Sequence, residues 1–253
     1  MGSAENLMGV LDRRDKEALI KLLIEKGALQ FGDFKLKSGR ISPWFFNSGN
    51  LDDGKSLQLI GREFARIIND MDVDVDVVYG PAYKAIPLAA ATAGAMADYG
   101  ADVGYVFDRK EAKDHGDAKD EQSNWLIGRR LSPGNSVVMV DDVLTTAKTK
   151  YDALSLVNRV APGVKFTGLV FIVDRQELSG GVELKGDEVV ATENFTRETG
   201  IPARGSVNAI DVYRHLRDNS NPNCDRVRDY LLKYGSNEVR EAVRYDGKNN
   251  KRE

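Results

Sequence analysis

The sequence predicts an α/β protein with a central parallel sheet flanked by helices. Three observations carry that expectation. Short apolar runs at residues 75–79, 103–107, 137–140 and 166–173 recur at strand length. Segments with apolar residues at helical spacing lie between them, and strands alternating with helices imply a parallel sheet covered on both faces. At 253 residues the chain is long enough for a substantial core in one large domain, with room for appendages.

The elements follow in order. Leu19, Ile20, Leu22 and Leu23 set a helix over 16–26, and Gly27 supplies its stop. The stretch FGDFKLKSGRISPWFFNSG reads as loop or short irregular strands, because Gly, Ser and Pro interrupt its aromatics. Leu57, Ile60, Phe64 and Ile67 recur at intervals of three and four, an amphipathic helix. The strand at 75–79 ends in Gly80-Pro81, and an alanine-rich helix covers 84–99. Residues 108–134 hold no convincing element and are strongly polar; structureless loops of that length are usually lids, binding loops or insertions. Leu154, Val157 and Val160 share one face of a helix over 149–160. A shorter strand is expected at 188–192, then a helix capped by Ser206 carrying Val207, Ile210 and Leu216. The hydrophilic tail from 219 holds one or two short helices, around Tyr230-Leu231-Leu232 and at 239–243.

Composition narrows the function. Net charge is −3, so no global basic field draws in nucleic acid or an acidic membrane. Cys224 is the single cysteine, which excludes an intrachain disulfide and suits a reducing, cytoplasmic setting. The N-terminal stretch lacks an apolar core of signal-peptide length, and no run approaches the ~18 apolar residues of a membrane span.

The most informative stretch is VVMVDDVLTTAKT, residues 137–149. Four apolar residues run into Asp141 and Asp142, and a hydroxyl-rich turn follows. In open α/β sheets ligands bind at the carboxyl ends of strands. A turn entering a helix offers free N–H groups and the positive end of the dipole, which suit a phosphate. Paired carboxylates suit hydroxyl donors and a metal-bound water shell. A sugar phosphate presents both partners. The competing reading of such a pair is a solvated loop or a helix cap.

The stretch resembles the signature of the type I phosphoribosyltransferases: a hydrophobic strand, two acids and a small turn. The resemblance implies that fold, with a small hood subdomain and a long mobile loop beside the sheet. It implies that Asp141 and Asp142 contact the ribose hydroxyls of phosphoribosyl pyrophosphate and help position Mg2+, which the ligand mainly holds. The rest of the signature, Val143, Leu144, Thr145, Thr146, Ala147, Lys148 and Thr149, would grip the 5-phosphate. The family turn reads Thr-Ala-Gly-Thr, so Ala147 stands where glycine allows close backbone approach, and Lys148 puts a cation in place of a hydroxyl.

Three further stretches, LKSGRISPWFFNSG, GPAYKAIPLA and DRKEAKDHGD, with DRQE at 174–177, are similar to the orotate phosphoribosyltransferases. That family makes orotidine 5′-monophosphate in de novo pyrimidine (UMP) biosynthesis. The similarity extends over residues 16–217. It divides the chain into a phosphoribosyltransferase domain, 1–217, and a C-terminal helical extension, 218–253. The hood would be formed by the N-terminal segment and part of 188–217.

The chemistry agrees. Phosphoribosyl pyrophosphate is highly anionic, and the resemblance assigns Tyr83 and Lys84 to its pyrophosphate. Arg109, Lys110, Lys113 and His115 fall within seven residues of the polar loop. Read from charge alone, that run is equally a solvated face. Cations aimed at a leaving pyrophosphate stabilise the transition state more than the ground state, and a closing loop excludes water. By resemblance Lys113 is the main catalytic residue. The enzyme would be a homodimer, with Arg109 and Lys113 donated to the partner's site. Phe45 and Phe46 would lie against the orotate ring, or else belong to the core. Arg175 would grip the orotate carboxylate, or else be a strand-end surface charge. Lys37 would sit near base and pyrophosphate, and Thr145 would also border the base. His215 reads as an ordinary polar position. Two rivals remain: a phosphoribosyltransferase for a purine or uracil, and a non-catalytic regulator that binds phosphoribosyl pyrophosphate.

Overall fold

Strand and helix do alternate, as the apolar runs predict, but several boundaries move. The computed structural model describes residues 16–113, 120–145 and 147–249. They fall into two compact units, the first made of described residues within 16–51, 173–194 and 207–249, the second of those within 52–172 and 195–206. Among the described residues no helix is long and apolar enough to cross a membrane.

The second unit is built on a six-stranded sheet, counted over the described residues. Its strands are β3 (Val77–Tyr79), β4 (Gly104–Asp108), β5 (Leu126–Gly128), β6 (Ser136–Val143), β7 (Lys165–Asp174) and β8 (Ala203–Asn208), in the order β5-β4-β3-β6-β7-β8. β3 pairs parallel with both β4 and β6, and β5 adds an antiparallel edge. Val137 to Val140 and Leu169 to Ile172 are fully buried, as strands covered on both faces must be. Helix α2 (Gly54–Asp70) starts on Asp53, whose side chain accepts a hydrogen bond from Ser56 N at 2.8 Å. It buries Ile60, Phe64, Ile67 and Ile68. Helix α3 (Ala85–Met96) packs closely on it: a Cβ on Gly61 would lie 2.6 Å from the Ala91 carbonyl oxygen. Helix α5 (Lys148–Val160) follows β6, with Ala153, Val157 and Val160 buried.

The first unit contains α1 (residues 16–25) and an antiparallel hairpin of β1 (Leu29–Lys35) and β2 (Ile41–Phe46), with a bulge between Phe31 and Phe34. The hairpin is more regular than its Gly, Ser and Pro suggest, because β2 pairs with β1 and buries Ser42, Pro43, Trp44 and Phe46. α7 (Ala209–Asp218), α8 (Cys224–Tyr234) and α9 (Asn237–Asn249) belong to the same unit. The helices at the two tail positions form as expected and are longer than the apolar clusters alone indicate. Val227, Leu231, Val239 and Val243 are buried.

Four expectations are corrected. Residues 188–192 form no strand: Val190 makes one isolated bridge to Leu178, and α6 (Ala191–Thr199) begins immediately. Ser206 is buried within β8; Asn208 caps α7 instead, accepting from Asp211 N while Asp211 accepts from Asn208 N. The region 108–134 is not structureless. α4 (Glu121–Trp125) is nucleated by a reciprocal cap between Asp120 and Ser123, and β5 follows. His215 is less ordinary than its context suggests: it is buried, with Nδ1 2.9 Å from both Glu17 oxygens.

Candidate active site

In the second unit the acid pair lies inside β6 rather than after it, because the strand continues to Val143. Asp141 and Asp142 are both buried. Asp142 N donates to Asp141 Oδ1 at 2.7 Å. Lys150, on the first turn of α5, places Nζ 2.5 Å from Asp141 Oδ2 and donates to the Val143 carbonyl at 2.8 Å. Lys84 Nζ lies 3.5 Å from Asp142 Oδ2. Burial pushes the Asp141 carboxyl above its ordinary range, Lys150 opposes that, and the adjacent Asp142 adds to it. Lys150 is a residue the sequence reading missed. Its signal was a lysine placed on the first turn of the helix that follows the acids.

The turn between β6 and α5 is tight. Ala147 sits at φ 56, ψ 0 and its carbonyl accepts from Lys150 N at 2.8 Å and Tyr151 N at 3.0 Å. The chain therefore keeps a glycine conformation at the position where the family has glycine. Thr145 and Thr149 are exposed and Leu144 is buried. Lys148 is exposed and pairs with Asp152 at 3.0 Å. Thr146 lies outside the described residues.

Asp108, at the end of β4, organises the neighbouring turn. It accepts from the Tyr79 hydroxyl at 3.1 Å and from Ala82 N at 2.7 Å, and Lys110 Nζ lies 3.5 Å away. Burial, and the charge of Asp108 beside it, push the Tyr79 hydroxyl far above its ordinary range, so it stays a donor. The Ala82–Tyr83 peptide is cis. Tyr83 and Lys84 emerge exposed from this turn. Gly80 is required there: a Cβ would lie 2.3 Å from the Ala85 carbonyl oxygen. Two backbone bonds tie the polar loop across its base, Arg109 N to Trp125 O at 2.8 Å and Lys113 N to Asn124 O at 3.0 Å. Both side chains are partly exposed, and Arg109 Nε is buried with no hydrogen-bond partner among the described residues. His115 lies outside the described residues.

In the first unit Lys37 is exposed on the β1–β2 turn. Phe45 and Phe46 point to opposite sides of β2. Phe45 is exposed and stacks on Phe34 with ring centroids 5.3 Å apart, while Phe46 is buried. Arg175 is no surface charge. Its Nη2 lies 2.6 Å from Glu177 Oε1 and 2.9 Å from Ser42 Oγ, and its guanidinium sits 4.1 Å from the Trp44 ring centroid.

Among the described residues no group of three or more His, Cys, Asp or Glu is placed to hold a metal ion. Asp141 and Asp142 supply hard oxygen ligands from two carboxylates, a donor set that fits Mg2+ arriving with a phosphate ligand rather than caged by protein.

Comparisons with known proteins identify the family. A family model, described as phosphoribosyl transferase domain, matches residues 47–196. The chain is 39% identical over 223 residues to the orotate phosphoribosyltransferase of Nitrosococcus oceani, covering 87% of this chain and 95% of that one. It is 37% identical to the Pseudomonas aeruginosa protein of the same name, covering 85% and 96%. A crystal structure of the orotate phosphoribosyltransferase of Francisella tularensis matches with a TM-score of 0.72 at 31% identity, covering 87% of this chain and all of that one.

Proposed function

The chain belongs to the orotate phosphoribosyltransferase family, and on that premise we propose that it transfers the phosphoribosyl group of phosphoribosyl pyrophosphate to orotate. The C1–O bond to pyrophosphate breaks, a C1–N bond to the base forms, and orotidine 5′-monophosphate and pyrophosphate leave, a step of pyrimidine biosynthesis. The observation that carries this reading is the buried Asp141–Asp142 pair at the end of β6, set between Lys150 and Lys84.

The chemistry divides among named residues. Asp141 and Asp142 accept the ribose hydroxyls and would hold the water shell of Mg2+. When bound, Mg2+ supplies neutralisation of the pyrophosphate. The turn from Val143 to Thr149, with the N-terminus of α5, receives the 5-phosphate. Tyr83 and Lys84 face the pyrophosphate. As C1–O breaks, positive charge grows on the ring and negative charge on the leaving group. Lys113, with Arg109, Lys110 and His115, stabilises the latter. Phe45 offers the orotate ring a flat surface, and by family resemblance Phe46, Lys37 and Thr145 also serve the base. Arg175 pairs with the orotate carboxylate. Two copies of the chain make the working enzyme, Arg109 and Lys113 serving the partner's site, in the cytoplasm.

The test is orotate loss in the near ultraviolet with phosphoribosyl pyrophosphate and Mg2+, beside Lys113→Ala and parallel reactions with hypoxanthine, adenine and uracil. Turnover of orotate that drops by about 10²–10³ in the variant supports the reading. Turnover of another base instead moves the acceptor. Saturable binding of phosphoribosyl pyrophosphate without turnover of any base overturns the enzyme reading in favour of a regulator.

A further inference from the structure

Glu177 ends the DRQE stretch, and no step of the proposed chemistry uses it. Its side chain is nearly buried, yet it is the centre of a charged cluster. Oε1 receives Arg175 Nη2 at 2.6 Å. Oε2 receives the Tyr230 hydroxyl at 3.0 Å, and Arg40 Nη1 lies 4.0 Å from the same oxygen. Arg40 is itself locked, donating to the carbonyls of Gly181, Leu178 and Ser179 at 2.7, 2.8 and 2.9 Å with its guanidinium over the Tyr234 ring. The backbone is tied as firmly. Leu178 N donates to Tyr234 O and Ser236 N to Gln176 O, each at 2.9 Å. Residues 176–178 are thus fastened to the end of α8.

The consequence concerns Arg175. An arginine on an open strand end has many rotamers, and ordering it opposes ligand binding. Here Glu177 and Ser42 hold one end of its fork and Trp44 holds its plane, while Nη1 makes only a 3.4 Å contact to the Trp44 carbonyl. A buried carboxylate this close would also compete with a ligand carboxylate for the guanidinium. The Tyr230 hydrogen bond and Arg40 draw that charge to the other oxygen. Burial and Glu177 push the Tyr230 hydroxyl up to about 12, so it remains a donor at neutral pH.

We infer that helix α8 is part of the base-recognition apparatus, with Tyr230 a positioning residue that holds Glu177 so that Arg175 is preset for the carboxylate of the base. This rests on the reading that Arg175 meets that carboxylate, so the test varies both.

Steady-state kinetics and thermal unfolding are measured on the full chain carrying Tyr230→Phe, Glu177→Gln, the two together, and Arg175→Lys. Phe keeps the ring that packs against Tyr234, 4.9 Å between centroids. A hydrogen bond to a charged group is worth about tenfold in an equilibrium. Tyr230→Phe is therefore expected to raise the KM for orotate about tenfold and to leave the KM for phosphoribosyl pyrophosphate within about twofold, a split that a general loss of stability would not produce. Adding it to Glu177→Gln should cost nothing further. If Arg175→Lys raises the orotate KM and Tyr230→Phe does not, the role of α8 is refuted and that of Arg175 stands. If Arg175→Lys leaves the orotate KM unchanged, the underlying reading fails. Equal losses in both KM values with a lowered midpoint would make Tyr230 merely structural and overturn the inference.

Discussion

Lys150 Nζ lies 2.5 Å from Asp141 Oδ2, and both side chains are buried. A buried ion pair stabilises little against an apolar replacement of both partners, but breaking it leaves one charge uncompensated. Lys150→Met should therefore lose about 3–5 kcal/mol of unfolding free energy. Urea denaturation checks this, and an unchanged midpoint would show that Asp141 finds other compensation. Asp141→Asn combined with Lys150→Met should recover much of the loss.

Ala147 holds a left-handed backbone, φ 56, at the entry to α5. An alanine there costs about 1–2 kcal/mol in sterics, and glycine returns part of that gain as chain entropy. Ala147→Gly is expected to stabilise by up to about 1 kcal/mol. Ala147→Val, branched at Cβ, should destabilise by about 1–3 kcal/mol. Paired denaturation curves decide it, and a glycine variant weaker than the parent contradicts the account.

Gly80 and Gly54 make a matched pair. A Cβ at Gly80 would strike the Ala85 carbonyl oxygen at 2.3 Å, whereas at Gly54 it would meet nothing within 4 Å. Gly80→Ala should displace the turn carrying Tyr83 and Lys84 and weaken phosphoribosyl pyrophosphate binding at least tenfold, a loss of about 1.4 kcal/mol. Gly54→Ala, on the first turn of α2, should be neutral or slightly stabilising. Isothermal titration of both variants separates a local clash from a general dislike of substitution.

Asp174 predicts a pH dependence. Burial pushes its carboxyl up, against hydrogen bonds from Gln176 N and the Thr192 hydroxyl that hold it down, with Glu193 and Glu238 adding negative charge nearby. A folded value above the unfolded one means the protonated form is favoured in the native state. This contribution to stability is full below the unfolded aspartate value of about 4 and is lost as pH rises through the raised one. Asp174→Asn should be more stable than the parent at neutral pH, with the gap closing toward about pH 4. Unfolding midpoints across that range test it; a gap of constant size would point to packing rather than titration.

Much of the fold was legible because parallel strands buried on both faces are continuous apolar runs. Val137 to Val140 announces β6 with no help from its neighbours. Where local rules and tertiary pairing compete, tertiary pairing prevails. Ser206 is a good cap by type, but its place in β8 overrode that propensity. The elements α4 and β5 are too short for periodicity to reveal, and one depends on pairing with β4.

The site divides the same way. The sequence by itself narrowed the proposed ligand class through resemblance, because two acids and a hydroxyl-rich turn after an apolar run, with four further stretches in order, match one family. It also determined that Ala147 would sit where glycine belongs. Tertiary structure alone decided which charges are neutralised and by what. Lys150 reaches Asp141 over nine positions, Asp108 reaches back to Ala82, and Tyr230 meets Glu177 from a helix 53 residues away. Electrostatic partners are chosen by distance and burial after the chain has folded, and nothing in the local pattern of a sequence encodes that distance.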